Sequence, residues 1–252
     1  MTLGRIGAAT SGRTLGTGIA TGLVAGAVLA ALAAMSAPLG AMPRDGSAVE
    51  PESLSFKVLR DGVPIGRHSI TFTEVGDELH VDVAIDLEVT FAFLTLFRYE
   101  HRNKEIWRDG RLVSLESRTD DDGKQYQVSA TATAEGLWVE GSEGRFLAPA
   151  DTLPTSYWNP ATVEQRKLLD TQRGGLLAVS AEPRGVDAIA IDQRKTLAAQ
   201  RYKLHGDLNA ELWYAPEGDW MKIAFEVRGS SIDYQPIDAH RGLRRLQQSS
   251  NH

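Results

Sequence analysis

The 252-residue sequence contains no cysteine. Disulfides, thiolate metal sites, cysteine nucleophiles and a lipid-anchoring cysteine behind a leader are therefore excluded. Its six histidines, at positions 68, 80, 101, 205, 240 and 252, are not clustered at ligand spacing, so a protein-built zinc site is not expected. The Gly-x-Ser-x-Gly elbow, the His-Glu-x-x-His helix and the glycine-rich phosphate loop are all missing. No motif implies a cofactor. Positive charge is also in short supply, since 27 Lys and Arg face 33 Asp and Glu for a net charge of −6. Nucleic acid is excluded as a partner, because phosphate binding needs clustered basic side chains to release counterions. The same balance argues against docking on anionic lipid heads by charge and mainly keeps a domain soluble.

What is there begins with a leader. Arg5 and Arg13 are the only charges in the first 41 residues, and from Thr14 to Pro43 there is none. Ile19 to Met35 is built of Ala, Val, Leu, Gly and Thr, and Leu39-Gly40-Ala41 ahead of Met42 offers a small-residue cleavage site. This is the grammar of a signal peptide over residues 1–41. The competing reading is an uncleaved anchor, since Thr17 to Met35 approaches the length that spans a bilayer. Gly18, Gly22 and Gly26 stand at a helix-pairing spacing. Both readings put the rest of the chain outside the cytoplasm, periplasmic or secreted. In the first, the membrane is met only transiently, through the leader.

Residues 42–53, with Pro43, Gly46 and Pro51, read as a flexible lead-in. From Leu54 a period-two alternation takes over and continues to residue 235. It is clearest where Leu79, Val81, Val83, Ile85, Leu87 and Val89 share one face against His80, Asp82, Asp86 and Glu88. One buried and one wet face indicate an antiparallel sheet. Asp61-Gly62, Asp109-Gly110 and Asp122-Gly123 are hairpin turns. Arg-Asp-Gly at 60–62 and 108–110 is turn chemistry, not an internal repeat. Phe91 to Trp107 allows a short helix over its first half, but the preferred reading is one long strand that starts buried on both sides and emerges into solvent. Asn159-Pro160 reads as the capped start of a helix of about two turns, reaching Leu169. Residues 236–252 have little to bury and read as a disordered tail.

About a dozen strands with one short helix predict an all-β domain: a single antiparallel β-barrel, half-barrel or highly curved sheet.

Several stretches together resemble a bacterial family of exported proteins classed only as a domain of unknown function. These are Phe56-Lys-Val-Leu-Arg-Asp-Gly-Val-Pro-Ile-Gly66, Arg98-Tyr-Glu-His-Arg102, Glu105-Ile-Trp-Arg-Asp-Gly-Arg-Leu112, Thr155-Ser-Tyr-Trp-Asn159 and Leu212-Trp-Tyr214. The resemblance covers most of residues 54–235 and implies export and fold without an assigned activity. More distantly, the plan resembles periplasmic carriers of lipoproteins, in which a curved sheet half-closes over an apolar hollow. That likeness is architectural, and fold does not confer function.

Alternation places Phe97, Tyr99, His101, Asn103, Glu105 and Trp107 in one row that could line a cavity. His101 and Glu105 lie about 13 Å apart along an extended strand, too far to pair. The plainer reading is that Tyr99 and Trp107 are core while His101 and Glu105 bond cross-strand partners. The opposite row, Arg98, Glu100, Arg102 and Lys104, reads as a solvated face that discourages edge pairing. Asp120-Asp121-Asp122 lacks the layout of a calcium loop and reads as turn chemistry. Tyr157 and Trp158, in the loop between Pro154 and Pro160, are either a plug for the open end of a barrel or a ligand contact. The candidate ligand-binding residues are thus Tyr99, His101, Trp107, Tyr157 and Trp158, with no catalytic or metal-ligating residue.

Three functions fit. The first is a non-enzymatic periplasmic binding or carrier module for an apolar or amphipathic ligand or lipid, which requires a hollow of about 300 Å³ or more. The second is a scaffold that binds an envelope protein at a sheet edge. The third is a carboxylate-dependent cell-envelope enzyme.

Overall fold

The computed structural model describes residues 52–191 and 194–237. The leader of residues 1–41, most of the lead-in and the tail from residue 238 lie outside the described residues. The first half of the domain is a meander of eight strands, each paired with the next. They are β1 (Glu52–Arg60), β2 (Val63–Val75), β3 (Glu78–Phe91), β4 (Leu94–Arg108), β5 (Arg111–Asp121), β6 (Lys124–Ala132), β7 (Leu137–Gly141) and β8 (Gly144–Ala148). A short β9 (Leu153–Pro154), a 3-10 helix (Pro160–Glu164) and β10 (Lys167–Leu169) follow. The second meander is β11 (Leu176–Ala190), β12 (Thr196–Gly206), β13 (Ala210–Tyr214), β14 (Trp220–Val227) and β15 (Ser230–Pro236).

All fifteen strands belong to one sheet with the order β8-β7-β6-β5-β4-β3-β2-β1-β15-β14-β13-β12-β11-β10-β9. The two meanders meet in the middle, where β1 pairs antiparallel with β15 from Phe56–Pro236 to Arg60–Ile232. Strand β1 thus begins inside the expected lead-in, and Pro236 and Ile237, expected in the tail, belong to the sheet, with the Ile237 amide bonded to the Ser55 carbonyl. One pairing, β9 with β10, is parallel.

Local chemistry explains the hairpins. Asp61-Gly62, Asp109-Gly110 and Asp122-Gly123 carry φ of 49° and 80°, 50° and 71°, and 54° and 86°. Two successive positive φ values are the requirement of a two-residue turn whose twist matches the strands it joins. Inward residues alternate with outward ones: Phe56 and Val58, Ile70 and Phe72, Val81 and Val83 are buried beside Leu168, Leu204, Leu212 and Trp220 in the main core. A smaller core of Ile189, Ile191, Ala199, Trp213, Ala215 and Met221 covers part of the second meander.

Two expectations are corrected. The stretch 92–97 is not the doubly buried start of a long strand. The chain turns at Ala92, whose φ is 54°, and Phe93 and Leu94 stand exposed at the tip with Leu96. The physical reason is length: β2 pairs β3 only as far as Leu87, so the end of the β3–β4 hairpin projects beyond its cover. The capped helix is also shorter than expected. Asn159 does cap it, its Oδ1 accepting the Ala161 amide at 3.0 Å, but the chain turns extended at Gln165. Lys167–Leu169 then pairs with β9 and β11, which buries Leu168 and Leu169 completely. Sheet pairing that hides two leucines outweighs local helix preference there.

The sheet has two free ends in hydrogen-bond order, yet they are tied by a loop contact. The Ser142 amide and hydroxyl, in the β7–β8 turn, both donate to the Arg173 carbonyl at 2.8 Å. Gly141 lies so close to Arg173 and Gly174 that no Cβ would fit. The stretch from 153 to 175 thereby lies against the inner face of β4 and β5, with Ser117 Oγ donating to the Thr171 carbonyl and Tyr99 to Gln172.

Candidate functional site

The inward row of β4 holds its predicted alternation. His101, Asn103, Glu105 and Trp107 are buried, Tyr99 and Phe97 are half-buried, and Thr95 is exposed. The row therefore opens to solvent toward the Ala92-Phe93 turn. On the other face Arg98 pairs with Glu88 at 2.8 Å, Arg102 with Asp86 and Lys104 with Asp82 at 3.9 Å, an exposed cross-strand ladder. Register adds a residue that sequence reading passed over. His68 on β2 pairs with Ile85, Ile85 with His101, and His101 with Thr119. Two histidines thus face the same way two strands apart, about 10 Å between backbones.

Between this face and the 153–175 stretch lies a cavity of about 260 Å³. The sheet side is formed by His68, Ile85, Tyr99, His101 and Asn103. Ser156, Tyr157 and Thr171 close it from the loop side, and Phe225 and Tyr234 from the second meander. It is somewhat smaller than the roughly 300 Å³ expected, because Tyr157 and its neighbours occupy part of the space the curled sheet encloses.

The cavity wall carries an unusual set of polar groups. His68 is 2% exposed, and among the described residues neither of its ring nitrogens has a hydrogen-bond partner. It is packed edge-on against Trp220 at 5.4 Å and Tyr234 at 5.6 Å, with Phe56 at 6.1 Å. Burial, helped by His101, pushes its pKa down to about 3. His101 shares a 2.8 Å hydrogen bond with Thr119 Oγ1, and burial, with the nearby Arg102, lowers its pKa to about 4. Both rings are therefore neutral at pH 7. Asn103 donates through Nδ2 to Glu105 at 2.7 Å, while its Oδ1 is unpaired. No Lys or Arg lines the cavity, and Asp170 is its one acidic residue.

Glu105 lies deeper, 1% exposed. Its Oε2 accepts both indole N–H groups of Trp107 and Trp158, at 2.8 and 3.0 Å, and its Oε1 accepts the Asn103 amide. Desolvation raises its pKa, and the bonds from Trp158, Trp107, Ser156 and Asn103 oppose the shift. The expected cross-strand partner is absent; the partners lie on its own strand and on the loop. Trp107 and Trp158 pack edge-to-face at 5.1 Å. These two candidates are groups of the main core and do not line the cavity. Tyr99, His101 and Tyr157, in contrast, come together at it.

Tyr157 sits at a φ of 61°, with the Trp158 amide bonded back to the Ser156 carbonyl at 2.9 Å. Such an i to i+2 turn is strained in a residue with a side chain. It is held by the Tyr214 hydroxyl, which donates to the Tyr157 carbonyl at 2.7 Å. The aspartate run behaves as turn chemistry, since Asp120 accepts the Gly123 amide at 2.7 Å and the Gln125 side chain at 2.6 Å. Among the described residues no three His, Asp or Glu side chains gather as a metal site.

His68, Asn103, Phe225 and Tyr234 were not singled out from sequence. The available signal for His68 was its phase, because alternation puts it on the same face as Ile70 and Phe72. Asn103 was in the inward row without being chosen.

The fold is similar to that of a β-barrel-like protein of domain of unknown function DUF1849 from Brucella abortus, known from a crystal structure. The TM-score is 0.54 at 11% identity, over 76% of this chain and 98% of that one. No curated protein matches the chain in sequence. The family model described as Domain of unknown function (DUF6134) matches residues 56–237, the whole curled sheet apart from its first few residues. The chain belongs to that family.

Proposed function

We propose that this protein is an exported, non-enzymatic binding or carrier module of the cell envelope, which holds an apolar or amphipathic ligand between the curled sheet and its loop plug. The observation that carries the reading is His68: a fully buried imidazole, without a hydrogen bond at either nitrogen, facing a cavity. A buried polar group left unpaired costs about 1–3 kcal/mol, and native folds leave few of them unfilled. The aromatic and aliphatic remainder of the wall supplies the apolar contact surface. With a volume of about 260 Å³, the cavity suits a small ligand, or one end of a longer one that leaves through the half-buried row at Tyr99 and Phe97. Export is supported by the leader, in which Arg5 and Arg13 precede a charge-free apolar run that ends in small residues.

Native mass spectrometry of the protein recovered from a periplasmic extract, followed by organic extraction, tests both parts. The expected result is a chain beginning at Met42 with a small organic molecule released on denaturation. A protein retained in the cytoplasm would overturn export. A bare polypeptide mass from gently handled extract would overturn the carrier reading.

A further inference from the structure

Resting on the carrier reading, we infer that the ligand of this cavity is an uncharged apolar molecule whose polar end is a hydroxyl, a group that both donates and accepts hydrogen bonds. The inference follows from which polar atoms of the wall are unmet. A neutral imidazole offers one N–H and one lone pair, and in His68 both are unused. Asn103 adds a lone pair: its amide nitrogen donates to Glu105 at 2.7 Å, which leaves Oδ1 without a donor. The unmet set is therefore one donor and two acceptors.

Common amphiphile head groups fail this set in different ways. A carboxylate or phosphate only accepts; it leaves both lone pairs unmet and brings a charge to a wall with no Lys or Arg. Burial keeps the two histidines neutral, so they offer no countercharge. A ketone, ester or ether likewise only accepts. An ammonium group only donates and leaves the His68 N–H unmet. Its one countercharge would be Asp170, which is half-buried and already accepts the Gln172 amide at 2.8 Å. A hydroxyl supplies one proton and two lone pairs, so it bonds whichever His68 nitrogen it meets in either tautomer, donating to the bare nitrogen or accepting from the N–H. The aromatic nest of Phe56, Trp220 and Tyr234 holds that ring in place without competing for its nitrogens.

The test is a matched ten-carbon set, 1-decanol, 2-decanone, decanoate and decylamine, titrated calorimetrically into the purified protein at pH 7.5. The alcohol is expected to bind about tenfold or more tightly than each of the others, the size of one well-made hydrogen bond. His68→Phe, which fits the aromatic nest but has no polar atom, is expected to bring decanol down to the level of decanone. His68→Gln, which keeps a donor and an acceptor, is expected to retain the preference, and near-UV circular dichroism checks that both variants fold. Equal binding of all four, or a preference for decanoate or decylamine, would overturn the hydroxyl assignment and leave the carrier reading standing. Absence of binding by any of them would overturn both.

Discussion

His68 is one of two buried histidines whose neutrality gives the protein a pH signature. Both rings hold folded pKa values, about 3 and about 4, below the ordinary 6.5. The unfolded chain therefore binds more protons than the native one between about pH 6.5 and pH 4. The stability these rings contribute is fully present above 6.5 and is lost as pH falls through that window, by about 1.4 kcal/mol per pH unit for each ring. Urea midpoints measured from pH 7.5 to 4.5 should fall accordingly, and His68→Phe should flatten the slope by about one proton's worth. Glu105 acts with the opposite sign. Its raised folded pKa means that its contribution declines as pH rises from the ordinary carboxylate range through the folded value. Replacing it by Leu would leave two indole N–H groups and the Asn103 amide without an acceptor, and should cost about 3–5 kcal/mol in urea denaturation. Glu105→Gln keeps one oxygen for the indoles and should cost less than about 1.5 kcal/mol. At this scale the sequence was partly readable. Strand phase was enough to put Tyr99 and His101 on the wall. It could not tell that Trp107 and Trp158 converge on one carboxylate, because that meeting joins β4 to a loop about fifty residues later in the chain.

At the scale of elements, hairpin chemistry was the most legible feature, since Asp-Gly pairs state their own φ requirement. Glycines outside turns carry a different constraint. Gly66 has a φ of 154°, and a Cβ there would collide with the Asp86 carbonyl on β3. Gly110, at a φ of 71°, faces open space. Gly66→Ala should therefore destabilise by more than about 3 kcal/mol, because backbone on the neighbouring strand must move. Gly110→Ala should cost only about 1–2 kcal/mol of left-handed strain. Thermal melts of the two variants would separate the mechanisms. The 3-10 helix and β10 were not legible for a related reason. The Asn159-Pro160 signal marked the right starting point, but the end of the element was decided by two leucines finding partners on β9 and β11.

For the whole molecule, composition and alternation fixed the class, while the linear order of fifteen strands and the internal plug depended on long-range pairing that leaves no local trace. The β3–β4 hairpin shows the limit well. Its apolar run suggested burial, yet Phe93, Leu94 and Leu96 project past the neighbouring strands. Replacing all three by Ser should leave the melting temperature unchanged, because exposed side chains contribute within about 0.5 kcal/mol. The same variant should reduce any self-association or partner binding seen by analytical ultracentrifugation. An unchanged sedimentation profile would mean that the tip is not a docking element.

The meeting of β1 with β15 has a kinetic consequence. Almost every other strand pair is a hairpin between sequence neighbours, which closes quickly and at small entropic cost. The Phe56–Pro236 ladder alone must bring together opposite ends of the domain. A circular permutant that joins Ile237 to Glu52 through a short linker, and opens the chain between Ala148 and Leu153, would convert that ladder into one more hairpin. No strand pairing would be cut, since β8 and β9 are not neighbours. Such a permutant should keep the native sheet and refold faster than the parent in stopped-flow experiments, with the search for the far strand removed from its slowest step.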